Sequence, residues 1–289
     1  MQFNYDHLRA LSAILRTGSF EMAAAELGVT APAISQRLKA LEDQVGARLV
    51  VRAAPCTGTD LGRKLARHME DVAVMEAGLV APDQAAARIT LAVNADSLAT
   101  WLIPALVQVP GALFDLRVVD QDRSAQLLKT GEVAAAVTSR AQPVQGCDVQ
   151  PLGRLSYVAT ASPAFVDRWF STGVTRSALE AAPALIYNRD DKLQATWAAR
   201  EVGAPVRLTG HTVPSTTAFV HAAEEGLGWG MNPEILVRAP LRAGRLIAIG
   251  AQPAFETPLY WQFSRRLKTP LAALTRAIAQ TANDVLEHA

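Results

Sequence analysis

Residues 30–45 hold the densest set of side chains suited to chemistry. Ser35, Gln36 and Lys39 share one side of a helical repeat, with Pro32 ahead of them and Arg37 on the flank. Ile34, Leu38, Leu41 and Val45 occupy the opposite arc. A side-chain amide can pair with both edge groups of adenine, and a cation can pair with guanine or hold phosphate. An ordinary amphipathic surface helix carries the same polar face, so the neighbouring elements must decide.

Those neighbours follow a consistent plan. Leu8, Leu11 and Leu15 form one stripe on a helix over Tyr5–Thr17, stopped by Gly18. Ser19 can cap a short second helix with Glu21 in its first turn, and Phe20, Ala23, Ala24 and Leu27 face inward. Gly28 permits a sharp turn, and Thr30 caps the third helix. Helix, tight turn and helix is the arrangement of a DNA reader. After Gly46, the basic segment 48–52 is extended and 53–58 turns the chain, which predicts a two-stranded wing with Arg52 on phosphate. The expected DNA contacts are therefore Thr30, Pro32, Ser35, Gln36, Arg37, Lys39 and Arg52. A long helix follows from Thr59 to about Val80. Leu65, Val72 and Leu79 repeat every seven residues as a dimer seam, beside a row of Leu61 and Met75 interrupted by His68.

Composition sets the outer limits. The 289 residues suit two or three units, half of them are hydrophobic, and the net charge of +1 does not by itself announce a nucleic-acid partner. Cys56 and Cys147 have no metal-ligand spacing, and no disulfide framework is expected. There is no signal-peptide pattern or long apolar run, so a cytoplasmic protein without a membrane partner is expected. No nucleophile elbow, phosphate-binding loop or zinc-hydrolase motif occurs, so the chain does not read as an enzyme, and no cofactor is expected.

From Arg88 onward strands and helices alternate. Strands are expected at 89–93, 116–119 and 133–137, with helices at 97–109 and 124–129 between them, implying a parallel sheet. A second set holds strands at 157–161, 184–187, 206–208 and 259–263. Its helices lie near 165–170, 193–202 and 215–225, and a last helix spans 271–288.

Residues 3–80 resemble the N-terminal region of LysR-type transcriptional regulators. The resemblance rests on Gly18-Ser19-Phe20, Ala23-Ala24-Ala25-Glu26-Leu27, the run Thr30 to Leu38, Leu41-Glu42, Val45-Gly46, Leu49 and Arg52. Val50 replaces the usual phenylalanine, and Gly58-Thr59-Asp60-Leu61-Gly62 departs from the common Leu-Thr-Glu-Ala-Gly. The second half is similar to the ArgP/LysG branch. Asn94 to Trp101, Gly131 to Thr138, Pro143 to Cys147, Gly226 to Gly230 and Tyr260-Trp261-Gln262 carry this likeness. Many other members have aspartate where Ala134 stands.

The resemblance implies an α/β chain: an N-terminal winged helix-turn-helix (1–58), a linker and dimerisation helix (59–84), and a two-lobed effector domain (85–289) like type II periplasmic binding proteins. Lobe 1 is expected at about 88–161 and 264–289 and lobe 2 at about 162–263, with crossovers near 160–162 and 263–264. The implied partners are double-stranded DNA, RNA polymerase, a basic amino acid and further copies of the chain as homodimer or homotetramer. The implied role is activation of an amino acid exporter gene.

The residues suit such an effector. Asp96 and Ser97 lie where a strand gives way to a helix N-terminus, where N–H groups favour a carboxylate. Asp120 and Asp122 can accept from an ammonium or guanidinium, and Thr138 and Arg140 end a neighbouring strand. The competing reading makes Asp96 a helix cap and the other two aspartates solvated loop residues. A different small molecule, or redox sensing through the cysteines, is the alternative function.

Overall fold

The computed structural model describes residues 2–77 and 87–287. It divides into two compact units. The first is built on residues up to Ile89 with 111–115 and 266–270, and the second holds the rest.

The first unit begins with α1 (Tyr5–Thr17), whose N-cap Asn4 accepts from the Asp6 N–H, and Gly18 ends it at φ +70. Ser19 caps α2 (Phe20–Glu26), and Thr30 caps α3 (Ala31–Val45) with Pro32 in the first turn, where no donor is missed. Leu8, Leu11 and Ile14 of α1 join Ile34, Leu38 and Leu41 of α3 in one core, all at most 1% exposed. Each such side chain contributes roughly 1.5–3 kcal/mol by leaving water. β1 (Val50–Val51) and β2 (Thr57–Gly58) pair antiparallel as a short wing.

Helix α4 (Asp60–Ala77) corrects the expected seam. Leu65, Ala66 and Met69 belong to the unit's own core, and half-buried Val72 packs against it. Leu65 and Val72 thus face α1. The exposed row is Leu61, His68 and Met75. Leu79 lies outside the described residues. The seven-residue period was visible in the sequence, but two apolar rows shared it, and only packing against α1 distinguishes them.

From Ala87 the chain runs β3 (Ala87–Val93), α5 (Ala95–Thr100), α6 (Leu102–Val107), β4 (Ala112–Val118), α7 (Gln121–Thr130) and β5 (Ala135–Thr138). It continues as β6 (Cys147–Ala161), α8 (Pro163–Trp169), α9 (Arg176–Ala181), β7 (Ala184–Ile186), α10 (Leu193–Val202), β8 (Gly210–Thr212) and α11 (Thr216–Glu224). It ends with β9 (Gly230–Pro233), α12 (Glu234–Arg242), β10 (Ile247–Ala248), β11 (Ala254–Ser264) and α13 (Ala272–Val285). The expected helix over 97–109 breaks at buried Trp101, since Pro104 can donate no hydrogen bond back to the preceding turn.

One seven-stranded sheet has the order β10-β6-β11-β5-β3-β4, with β9 also on β6. It is mixed rather than parallel. β3 and β5 run parallel, but β11 inserts antiparallel between β5 and β6. β6 and β11 are long and continuous. The end of β11 pairs with β5 through Tyr260–Phe263, whereas the end of β6 pairs with β9 through Tyr157–Thr160. Each strand thus changes partners along its length, on either side of the register shift at Leu259/Tyr260, and the crossovers expected near 160–162 and 263–264 fall at the strand ends. Pro151, Gly153 and Pro258 hid this continuity, because such residues normally mark strand ends. The strand expected at 206–208 sits instead at Gly210–Thr212, parallel to β7.

Candidate nucleic-acid interface and effector site

Helix α3 presents Pro32, Gln36 and Lys39 exposed and Ser35 half-buried, with exposed Thr30 at its start. Thr30 Oγ1 accepts from the Ala33 N–H at 3.4 Å, so its hydroxyl also works as the cap. Arg37 behaves otherwise: it is half-buried and turned to Asp6 of α1 at 3.9 Å, away from the outward row. Arg52 is exposed just beyond β1. The base of the wing is held by buried Glu42, which accepts the Leu49 N–H at 2.8 Å and pairs with Arg48 at 3.1 Å. Thr59 adds a hydroxyl donated to the Arg48 carbonyl at 2.9 Å. The amide, hydroxyl and cations expected to meet DNA are thus held on a rigid frame, with Arg37 displaced to its edge.

In the second unit, Asn94 rather than Asp96 caps α5, its Oδ1 accepting the Ser97 N–H at 2.7 Å. Asp96 is left for other work. It is half-buried, one oxygen accepting from the Tyr157 hydroxyl of β6 at 2.7 Å and the other from the Thr216 hydroxyl of α11 at 2.7 Å. Burial pushes the Asp96 carboxyl above the usual carboxylate range. The two hydroxyl donors pull it back only in part, and nearby Asp191 adds a like charge. Tyr157 is pushed well above its ordinary value, first by burial and then by Asp96. Asp191 is fixed by the Tyr187 and Leu193 N–H groups, at 2.8 and 2.9 Å.

Thr138 ends β5 beside β3, so the loops after both strands leave the same sheet end, the usual ligand position in such sheets. Thr138 is buried, and its hydroxyl accepts the Arg140 N–H at 3.2 Å. Ser97 Oγ and Ser139 Oγ are buried without a hydrogen-bond partner. Such oxygens cost free energy unless something completes them. The Arg140 side chain is exposed, while its carbonyl accepts from the Gln262 amide at 2.9 Å. Asp120 is exposed and caps α7 through the Arg123 N–H at 2.8 Å. It therefore fills the capping role that the sequence had offered for Asp96. The Asp122 side chain lies outside the described residues. Tyr157, Asp191, Thr216 and Ser139 were missed, because only folding brings positions 96, 157, 191 and 216 together.

The group is acidic, hydroxyl-lined and partly dry, a setting for an ammonium or guanidinium. Among the described residues no cluster has the composition of a metal site. Both cysteines are free, and burial pushes the Cys147 thiol up, which makes it a poor nucleophile near neutral pH. No described helix is long and apolar enough to cross a membrane.

A winged helix-turn-helix and a two-lobed α/β sensor domain define a ligand-responsive, DNA-binding transcription regulator. Residues 5–63 match the bacterial regulatory helix-turn-helix protein model of the lysR family, and residues 82–283 match the LysR substrate binding domain. The chain belongs to the LysR family of transcription regulators. It is 42% identical over 277 residues to the HTH-type transcriptional regulator LysG of Mycobacterium tuberculosis, covering 94% of this chain and 91% of that one. The crystal structure of ArgP from Mycobacterium tuberculosis aligns with TM-score 0.82 and 40% identity over 100% of both chains. Full-length LysG from Corynebacterium glutamicum with bound effector Arg aligns with TM-score 0.67 and 34% identity, over 99% of this chain and 100% of that one.

Proposed function

We propose that this regulator senses a basic amino acid, L-arginine or L-lysine, and activates an amino acid exporter gene in the cytoplasm through contact with RNA polymerase. The observation that carries the effector reading is Asp96, a half-buried carboxylate bonded only to neutral hydroxyls, beside a second carboxylate. The relative with bound arginine supports the same class. Asp96 receives the cationic end. The hydroxyls of Ser97, Ser139 and Thr138 serve the polar remainder, with Asp120 and Arg140 at the outer edge. Arginine gains a bidentate pair that lysine does not.

DNA is read by Gln36, Ser35 and Lys39 from the major groove, with Thr30, Pro32 and Arg37 flanking them and Arg52 on the backbone. Two copies pair through α4 by the exposed row Leu61, His68 and Met75, as dimer or tetramer. Closure of the lobes on the effector then alters how paired recognition helices meet their half-sites.

Titration calorimetry on the full chain with all twenty amino acids tests the effector. Arginine and lysine should bind and raise the melting temperature. Binding of a neutral or acidic compound with no response to arginine, lysine or histidine would overturn the effector reading and leave the DNA-binding one intact.

A further inference from the structure

Arg52 differs from four other arginines of its unit. Arg16, Arg37, Arg48 and Arg63 are each paired with a carboxylate: Glu26, Asp6, Glu42 and Asp60. Arg52 has no carboxylate partner among the described residues. Its guanidinium lies instead over the ring of Phe20, 5.1 Å from the centroid. Phe20 is the first residue of α2, half-buried and packed on the core that α1, α3 and α4 share.

The rest of the wing rests on the same short turn. The Cys56 N–H donates to the Gly18 carbonyl at 2.8 Å. At Gly18 a Cβ would meet Pro55 Cβ at 2.8 Å, so the wing lies close against the turn and glycine leaves the room. Ser19, between Gly18 and Phe20, caps α2. Gly18-Ser19-Phe20 is therefore the seat of the wing as well as the joint between two helices.

The choice of an aromatic face has a chemical consequence. A carboxylate would neutralise the guanidinium and occupy its N–H donors, both of which a phosphate needs. A π face attracts the cation through its quadrupole and leaves the N–H edge open. It also removes rotamer freedom from a long side chain before DNA arrives. We propose that Phe20 is a positioning residue for DNA binding, holding the Arg52 guanidinium over its ring, uncompensated and free to meet the phosphate backbone.

This rests on the reading of Arg52 as a phosphate contact, and the two can fail separately. The experiment is a double-mutant cycle on the full chain, read as affinity for a fixed duplex over a series of salt concentrations. Arg52→Ala should lower the slope of log affinity against log salt by about 0.9, the loss of one phosphate contact. An unchanged slope and affinity would remove Arg52 from the interface. Phe20→Met keeps apolar bulk without the π face and should weaken binding about two- to fivefold, the scale of an exposed cation–π contact. In the Arg52→Ala background the same change should do nothing further. Phe20→Trp, with the stronger face, should bind at least as well as the parent and guards against a variant that simply fails to fold. Equal weakening by Phe20→Met with and without Arg52, or no weakening at an unchanged melting temperature, would overturn the proposal.

Discussion

Asp96 and Gln36 show how differently two polar residues are placed. Gln36 is exposed on α3, and a side-chain amide can pair with both edge groups of adenine. Gln36→Ala should relax preference at one or two base pairs by roughly 1–3 kcal/mol each, read by competition among operator variants. If affinity and preference both survive, the recognition face lies elsewhere on the unit. Asp96 is the opposite case, held among hydroxyls and raised in pKa by burial. A carboxyl raised in the folded state favours its protonated form there. It therefore costs stability once pH rises through the folded value, and that cost is relieved as pH falls. Binding a cation needs the ionised form, so arginine affinity should fall as pH drops through the raised value, with one proton taken up on release. Asp96→Asn should weaken arginine by about 2 kcal/mol or more and flatten this pH dependence. Calorimetry across pH on both proteins checks it, and a parent profile as flat as the variant's would contradict it.

At the scale of elements, the wing and α4 are fixed by contacts too tight for substitution. Gly62 begins the contact of α4 with the wing, where a Cβ would stand 1.9 Å from the Leu49 carbonyl oxygen. That carbonyl also accepts from the Thr59 N–H at 3.0 Å, so it cannot move aside freely. Gly62→Ala should cost about 3 kcal/mol by overpacking, visible as a lowered denaturation midpoint. The face of α4 matters equally. Val72→Asp places a charge against the unit's own core and should lower stability. Leu61→Glu with Met75→Glu should leave stability nearly unchanged and shift sedimentation toward monomer. If only the Val72 variant dissociates the assembly, the inner row is the pairing surface after all.

For the whole molecule, the proposed regulation rests on the strands that run the length of the second unit. Strands β6 and β11 run unbroken from one lobe into the other, so a movement of either lobe bends the same two strands. Asp96 ties α5 to β6 and α11 by two side-chain bonds. A ligand that takes over Asp96 competes with both. If the proposed effector changes DNA affinity, the coupling must be reciprocal. Arginine should change operator affinity of the full chain by the same factor by which operator DNA changes arginine affinity. In Asp96→Asn that factor should move toward one, measured as operator affinity with and without saturating arginine.

The sequence alone determined the N-terminal unit almost to the residue. Tyr5–Thr17, the caps Ser19 and Thr30 and the stops at Gly18 and Gly46 are written in local side-chain chemistry, and the helices follow from period and capping within a few residues. The polar face of α3 was equally legible, because burial of Ile34, Leu38 and Leu41 forces the other side outward. The sensor unit was legible as alternating strands and helices but not as a topology. Strand order depends on pairing between residues as distant as Cys147 and Ser264, and proline and glycine inside β6 and β11 imitate strand ends. The acidic site was half legible. Asp96 stood out at the end of a strand, yet its partners Tyr157 and Thr216 lie 61 and 120 residues away. Whether Asp96 caps its helix turned on a competitor two residues back, Asn94, which takes the Ser97 N–H and frees Asp96. Local hydrogen bonds can be read along a chain. The choice between two equally periodic faces, or between two carboxylates, belongs to the tertiary structure, because only packing says which one loses its water.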